Sequence, residues 1–235
     1  MSVENVTYAS AVADFTESHL IGSNPGLSHA YTNSTKHGLP MIAVSPAQGK
    51  FISLLTSMSG ARNVLEVGTL GGYSSIWFSD GLKSSGGAQG KVTSIEIDPH
   101  RRDVAISNLQ SAGVKVPEEV EVLLGSALDV LPKLAAEIEK GERERFDFVF
   151  IDADWENQWN YFDYGVKLSN GKGSVIYVDN VVREMLQSGI VGPEKRDTTA
   201  ISLVEKVGDD SRVEAVVIQT VGQKDHDGFL MAVVR

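Results

Sequence analysis

The 235-residue chain contains no cysteine. That excludes disulfides, thiolate nucleophiles and cysteine-bound zinc or iron–sulfur centres. It contains no apolar run approaching a membrane span. Basic residues are in deficit: 21 Lys and Arg face 31 Asp and Glu, a formal net charge of −10. A balance of that sign argues against nucleic acid or an anionic membrane as partner, short of a local basic patch. Residues 1–20 carry Glu4, Asp14 and Glu17 and no Lys or Arg. They resemble neither a secretory signal nor a basic transit peptide, so a soluble cytoplasmic protein is the expectation. Internal repeats and long linkers are also missing. At this length, with 42% apolar residues, one α/β domain over residues 1–235 can bury a large core.

What is present is organised around Val64-Leu65-Glu66-Val67-Gly68-Thr69-Leu70-Gly71-Gly72-Tyr73-Ser74-Ser75. A short apolar run, a glycine-rich turn and a helix-like segment follow one another. This is how an α/β sheet opens a nucleotide pocket at the carboxyl end of its first strand. Gly68, Gly71 and Gly72 permit positive φ and close approach of a ligand, and a helix start offers free N–H groups. The spacing fits neither G-x-G-x-x-G nor G-x-x-x-x-G-K-[ST]. Glu66, two residues before the first glycine, would repel a pyrophosphate and suit a cation. S-adenosylmethionine carries an ammonium, a sulfonium and a carboxylate, and meets those terms. A tight turn without a ligand is the other reading.

Around this stretch the pattern predicts helices over residues 9–20 and 46–58, with a loop or lid over 22–40. Phe51, Leu54, Leu55 and Met58 form a helical stripe, read as core. Strands are expected at 63–67, 91–97, 120–124, 146–151 and 173–178. Helices are expected at 74–82, 99–112, 126–138, 155–168 and 198–207. Residues 84–90 read as a surface loop and 181–199 as a long connection. Two final strands, 213–220 and 229–234, flank a turn at 225–228. Right-handed crossovers then give a doubly wound, mostly parallel sheet with an antiparallel C-terminal strand and helices on both faces.

Ligands in such sheets lie outside the carboxyl ends of the strands. Those ends here read Glu66–Gly68, Glu96-Ile97-Asp98, Gly125-Ser126-Ala127, Asp152-Ala153-Asp154 and Asp179-Asn180. Glu96 suits a ribose clamp, or simply solvates a strand end. Ser126 and Ala127 would lie beside an adenine, although Ser126 could equally cap its helix. Asp152 and Asp179-Asn180 close neighbouring strands. Two carboxylates that close repel unless a cation joins them. An all-oxygen set favours Mg²⁺, Mn²⁺ or Ca²⁺; ordinary turn chemistry is the alternative.

Together these motifs resemble the cation-dependent class I O-methyltransferases of the catechol and caffeoyl-CoA type. The matching pieces run from about Met41 onward: Pro46-Ala47-Gln48-Gly49-Lys50, Leu65-Glu66-Val67-Gly68 with Gly72-Tyr73-Ser74, Ile95-Glu96-Ile97-Asp98-Pro99, Gly125-Ser126-Ala127-Leu128, Phe146 to Asp154, Val178-Asp179-Asn180 and Asp227-Gly228. The resemblance implies a seven-stranded, Rossmann-like methyltransferase fold, with residues 1–40 as N-terminal helix and lid and 41–235 as the cofactor-binding core. It implies cofactor contacts from Glu66, Gly68, Tyr73 and Ser74, backbone contacts from Ile42 and Val44, and Glu96 on the ribose. Ser126 and Ala127 fall beside the adenine, Asp152 and Asp154 near the cofactor, and Asp152, Asp179 and Asn180 on the metal. It also implies a homodimer and an aromatic small-molecule acceptor with vicinal hydroxyls. One departure stands out. Where the family commonly has a lysine base, three residues after the first metal Asp, this chain has Trp155. Asp152, Asn180 and Trp155 are therefore the expected catalytic set, with the cation lowering the hydroxyl pKa and Trp155 walling the acceptor. A cofactor-binding protein that does not methylate small diols is the alternative function, and an NAD-dependent oxidoreductase a remoter one.

Overall fold

The computed structural model describes residues 8–84, 90–192, 201–221 and 226–235. Its seven strands are β1 (Asn63–Val67), β2 (Lys91–Glu96), β3 (Val120–Leu124), β4 (Phe148–Ile151), β5 (Val175–Val178), β6 (Val213–Val221) and β7 (His226–Val234). They form one sheet in the order β3-β2-β1-β4-β5-β7-β6. The first five are mutually parallel, and β7 runs antiparallel between β5 and β6. The order reverses between β1 and β4, so a crevice opens outside their carboxyl ends.

Successive residues of each central strand feed opposite layers, as the period-two pleat requires. Val64, Phe148, Phe150 and Tyr177 face one layer, where α2 (Pro25–Lys36), α3 (Pro46–Met58), α4 (Tyr73–Ser84) and α5 (Pro99–Ser111) pack. Leu65, Val149, Ile151 and Ile176 face the other, beneath α6 (Ala127–Glu139) and α7 (Gln158–Leu168). Two short helices, α8 (Val181–Gln187) and α9 (Leu203–Gly208), add Val181, Leu203 and Val207 to that second layer. Among the described residues no helix is long and apolar enough to cross a membrane.

Four local expectations are corrected. The segment read as a loop, 22–40, contains α2. Pro25 occupies its first turn and the Asn24 side chain accepts from the N–H groups of Gly26 and Leu27, so a cap-plus-proline start outweighs a loop-like composition. The apolar stripe of α3 faces outward: Phe51, Leu54 and Met58 are exposed, while Gly49, Ile52, Ser53 and Thr56 are buried. Small residues let α4 come close, since a Cβ on Gly81 would lie 2.5 Å from the Ser53 carbonyl oxygen. The connection 181–199 begins with α8. Residues 226–228, expected in the final turn, pair in β7 with Val221, Thr220 and Gln219. Residues 85–89 of the expected surface loop and residues 198–200 of the expected helix start lie outside the described residues, as does Asp225.

The remaining helix, α1 (Ala9–Leu20), buries no residue. Val12, Phe15 and Leu20 are all exposed. Glu17 ties it to the molecule by accepting a hydrogen bond from the N–H of Ala47 at 3.2 Å. That N–H belongs to the first turn of α3, where helix donors lack intrahelical partners.

Candidate active site

A cavity of about 2340 Å³ lies over the carboxyl ends of β1, β2, β4 and β5. Of the residues singled out by sequence, Ile42, Val44, Gly68, Tyr73, Ser74, Glu96, Ser126, Ala127, Asp152, Asp154, Trp155, Asp179 and Asn180 all line it. Glu66 does not.

The loop after β1 is wound through left-handed backbone at Gly68 (φ 103°), Leu70 (φ 51°) and Gly72 (φ 75°). Gly68 also packs so closely on the end of β4 that a Cβ there would collide with the Asp152 carbonyl oxygen. Its glycine is therefore required by the junction of two strands, independently of any ligand. Leu70 is the costly member, because a branched side chain disfavours positive φ. Its N–H donates to Glu96 Oε2 at 2.7 Å. Glu96 Oε1 accepts from the N–H of Asp98 at 3.0 Å. The acid at the end of β2 thus organises two turns at the edge of the cavity.

Glu66 sits behind this loop and is fully buried. Ser74 Oγ donates to its Oε1 at 2.6 Å, while Ser75 and Ser94 donate to its Oε2. Burial raises its pKa, the three hydroxyls oppose that rise, and the Glu96 charge adds to it. Ser126 stands at the N-cap position of α6 but makes no side-chain cap bond, so its hydroxyl is not committed to the helix.

Across the cavity the groups are acidic. Burial pushes the Asp152 carboxyl well above its usual range, with further rises from Asp179, Glu66 and Asp227 against a lowering by Arg183. Asp179 is pushed up to about 6, by burial first; hydrogen bonds from the Asn180 backbone and Gln48 oppose it. Gln48 Nε2 reaches Asp179 Oδ1 at 2.7 Å, and Gln158 Nε2 holds the Asp179 carbonyl at 3.1 Å. Asn180 adopts left-handed backbone (φ 60°) as α8 begins. Its Nδ2 donates to Asp227 Oδ2 at 3.0 Å, which leaves its amide oxygen uncommitted to that bond. Asp227 also accepts from the N–H groups of Arg183 and Gly228 and pairs with the Arg183 guanidinium at 3.3 Å.

Gln48, Arg183 and Asp227 are thus site residues that sequence reasoning had not assigned. Gln48 and Asp227 lay inside motifs already noticed, and only the packing of α3 and β7 onto β5 gives them partners. Asp154 accepts from Tyr161 Oη and Asn157 Nδ2, both at 2.6 Å. Trp155 opens a single 3₁₀ turn before α7 and is half-buried on the cavity wall.

Among the described residues, no three His, Asp or Glu side chains converge tightly enough to hold a metal by themselves. A cation here would need the Asn180 amide beside Asp152 and Asp179. Those donors are all oxygen and suit a hard ion. The upward shifts show that the fold by itself disfavours the ionised form of both carboxyls, a form that such an ion would favour.

This sheet order and a cavity at its switch point define the Rossmann-like methyltransferase class. The model of a family described as O-methyltransferase matches residues 22–232. The chain belongs to that family of enzymes. It is 44% identical over 231 residues to the O-methyltransferase imqG of Aspergillus flavus, covering 96% of this chain and 90% of that one. It is 43% identical over 224 residues to a catechol O-methyltransferase of Mycobacterium tuberculosis, covering 94% of each. Among solved structures, a Bacillus cereus O-methyltransferase in complex with SAH superposes with TM-score 0.83 at 38% identity, covering 98% of this chain and 100% of that one. TomG of Streptomyces achromogenes, in complex with SAM, gives TM-score 0.84 at 34% identity, covering 100% and 99%.

Proposed function

We propose that the protein transfers a methyl group from S-adenosylmethionine to one hydroxyl of a vicinal-dihydroxy aromatic small molecule, catechol-, caffeoyl- or flavonoid-like, with a divalent cation. The observation that carries this reading is one cavity lined at one end by the β1–α4 loop, Glu96 and Ser126, and at the other by Asp152, Asp179 and Asn180. The names of the M. tuberculosis relative and of a Niastella koreensis relative, 36% identical over 221 residues, both give catechol as acceptor. The ligands of the B. cereus and S. achromogenes structures support S-adenosylmethionine.

When bound, S-adenosylmethionine supplies an electrophilic methyl group, and a cation (Mg²⁺ first, Mn²⁺ or Ca²⁺ as alternatives) lowers the pKa of a coordinated hydroxyl. The chain supplies placement. Glu96 takes the ribose, with Ser126 and Ala127 beside the adenine. Gly68, Tyr73 and Ser74 take the amino-acid end together with the backbone of Ile42 and Val44, and Asp154 adds a contact nearby. Asp152, Asp179 and Asn180 hold the cation. Gln48 and Asp227 fix the orientation of Asp179 and Asn180. Trp155 offers an aromatic wall to the acceptor ring, in place of a lysine, so proton removal depends on the cation and on water. Alignment alone can account for several kcal/mol of such a displacement.

The exposed apolar residues Leu54 and Met58 on α3, outside the cavity lining, support a homodimer that covers them; a monomer in sedimentation equilibrium at micromolar concentration would refute it. For the reaction, the test is methyl transfer to a panel of catechols and flavonoids with Mg²⁺ and with EDTA. Transfer should appear with the ion and vanish with the chelator. Full turnover in EDTA sinks the cation assignment, and donor binding without transfer to any phenol sinks the acceptor class.

A further inference from the structure

Beyond its acidic end the cavity has an apolar wall. Asp227, Phe229 and Met231 alternate along β7 and so share one face of the sheet. They pair with Thr220, Ile218 and Val216 of β6. All six line the cavity, as does Phe51 of α3. The three rows span about 13 Å at the usual strand rise. The first row is polar, and there Asp227 accepts from Asn180. The two rows beyond it are apolar. Phe229 is fixed by Tyr177, stacked at 4.4 Å, and by Phe51 at 5.6 Å. Val216 and Ile218 remain 47% and 44% exposed, an apolar surface open to whatever enters the cavity. The volume of about 2340 Å³ also exceeds the roughly 300–1,000 Å³ of a usual small-molecule pocket, so there is room beyond a donor and a single ring. Among the described residues the basic side chains lining the cavity are Arg101, on α5, and Arg183, which pairs with Asp227. The two apolar rows contribute no charge.

We propose that these two rows, with Phe51, form an acceptor subsite for an uncharged apolar extension of the diol-bearing ring, and that Val216 and Ile218 are its specificity-determining residues. The inference rests on the proposed reaction and adds which acceptors the cavity selects. A substituent leaving the ring toward β6 meets Ile218–Phe229 first and Val216–Met231 next. Burying it there strengthens ground-state and transition-state binding alike, so it lowers KM and leaves kcat little changed. A coenzyme A thioester fits the wall poorly. Its phosphates would meet apolar side chains in a protein of net charge −10.

The test compares catechol with 4-phenylcatechol, by kinetics with Mg²⁺ and saturating S-adenosylmethionine and by calorimetric titration. Both are run on the unmodified protein and on the double variant Val216→Thr/Ile218→Thr, whose threonines stay β-branched as a strand favours. The unmodified protein should prefer 4-phenylcatechol at least about tenfold, in KM and in affinity, with the two kcat values within about threefold. The double variant should lower that preference at least about fivefold. Equal KM for the two acceptors, or a preference that the variant leaves intact, overturns the proposal. So does a higher kcat/KM for caffeoyl-CoA than for 4-phenylcatechol. A variant that changes the association state but keeps the preference assigns the face to a second copy of the chain, and likewise overturns it. Should the double variant fail to fold, Ile218→Val decides: a preference reduced at least about twofold supports the subsite, and no reduction refutes it. Absence of transfer to both acceptors refutes the proposed reaction itself, whereas transfer with equal affinity for the two refutes the subsite alone.

Discussion

At the β1–β2 end of the cavity, carboxylates are matched by donors from the chain itself. Three serine hydroxyls hold Glu66, and two backbone N–H groups hold Glu96. At the β4–β5 end the match is incomplete. The charges of Asp179 and Asp227 add to the burial that raises Asp152, and the Arg183 guanidinium is paired with Asp227. Asp179 is pushed up to about 6. The first end is preorganised by the protein alone. The second has the character of a site completed by positive charge from outside, as a cation would supply. In the proposed reaction the first end would take the donor and the second would activate the acceptor.

The two ends meet at Gly68, and the largest effect is expected there. Gly68→Ala forces a side chain into left-handed backbone and against the Asp152 carbonyl. It should cost about 2 kcal/mol or more in stability and weaken donor and cation binding together. Thermal unfolding and the two titrations read this out. Loss at one end with the other intact would break the idea of a shared junction.

A smaller effect lies outside both ends. Asp210 is held below its usual range, first by the Arg212 guanidinium, which donates at 2.7 Å. Burial raises Asp163, but bonds from Lys167 and Arg212 prevail and leave it lowered. Depressed carboxyls contribute stability above the unfolded value of about 3.9, which is lost as pH falls through the folded values. The melting temperature should therefore drop below about pH 4, and less steeply in Arg212→Met. That variant should cost about 1 kcal/mol or less at neutral pH, since the pair is partly exposed. Donor affinity should not change; if it does, the ends are coupled through the helical layer.

The β1–β2 end was largely legible in the sequence because a strand, its glycine turn and the following helix are consecutive. Gly68, Tyr73 and Ser74 could be placed by counting. Glu66 shows the limit: its position was readable, but its direction depends on Ser94, a residue from another strand. The β4–β5 end draws on α3, β4, β5, α8 and β7. Asp152, Asp179 and Asn180 were visible as strand ends, whereas Gln48 and Arg183 acquire partners only through packing. The α3 stripe misled because helical periodicity identifies an apolar face without saying what covers it. The spacing Gly49, Ser53, Thr56 was the better signal for the face that meets α4. In α2, Asn24-Pro25 was a start signal hidden by Ser, Thr and Asn that normally favour turns.

The division of labour is tested most directly by Asp179→Ala, followed by calorimetry with S-adenosylmethionine and by turnover on a catechol with Mg²⁺. The separation of the two ends predicts donor affinity within about twofold of the unmodified protein and turnover reduced at least about a hundredfold, the scale of losing electrostatic stabilisation at a reacting oxygen. Unchanged turnover, or donor binding lost in step with it, would contradict the separation.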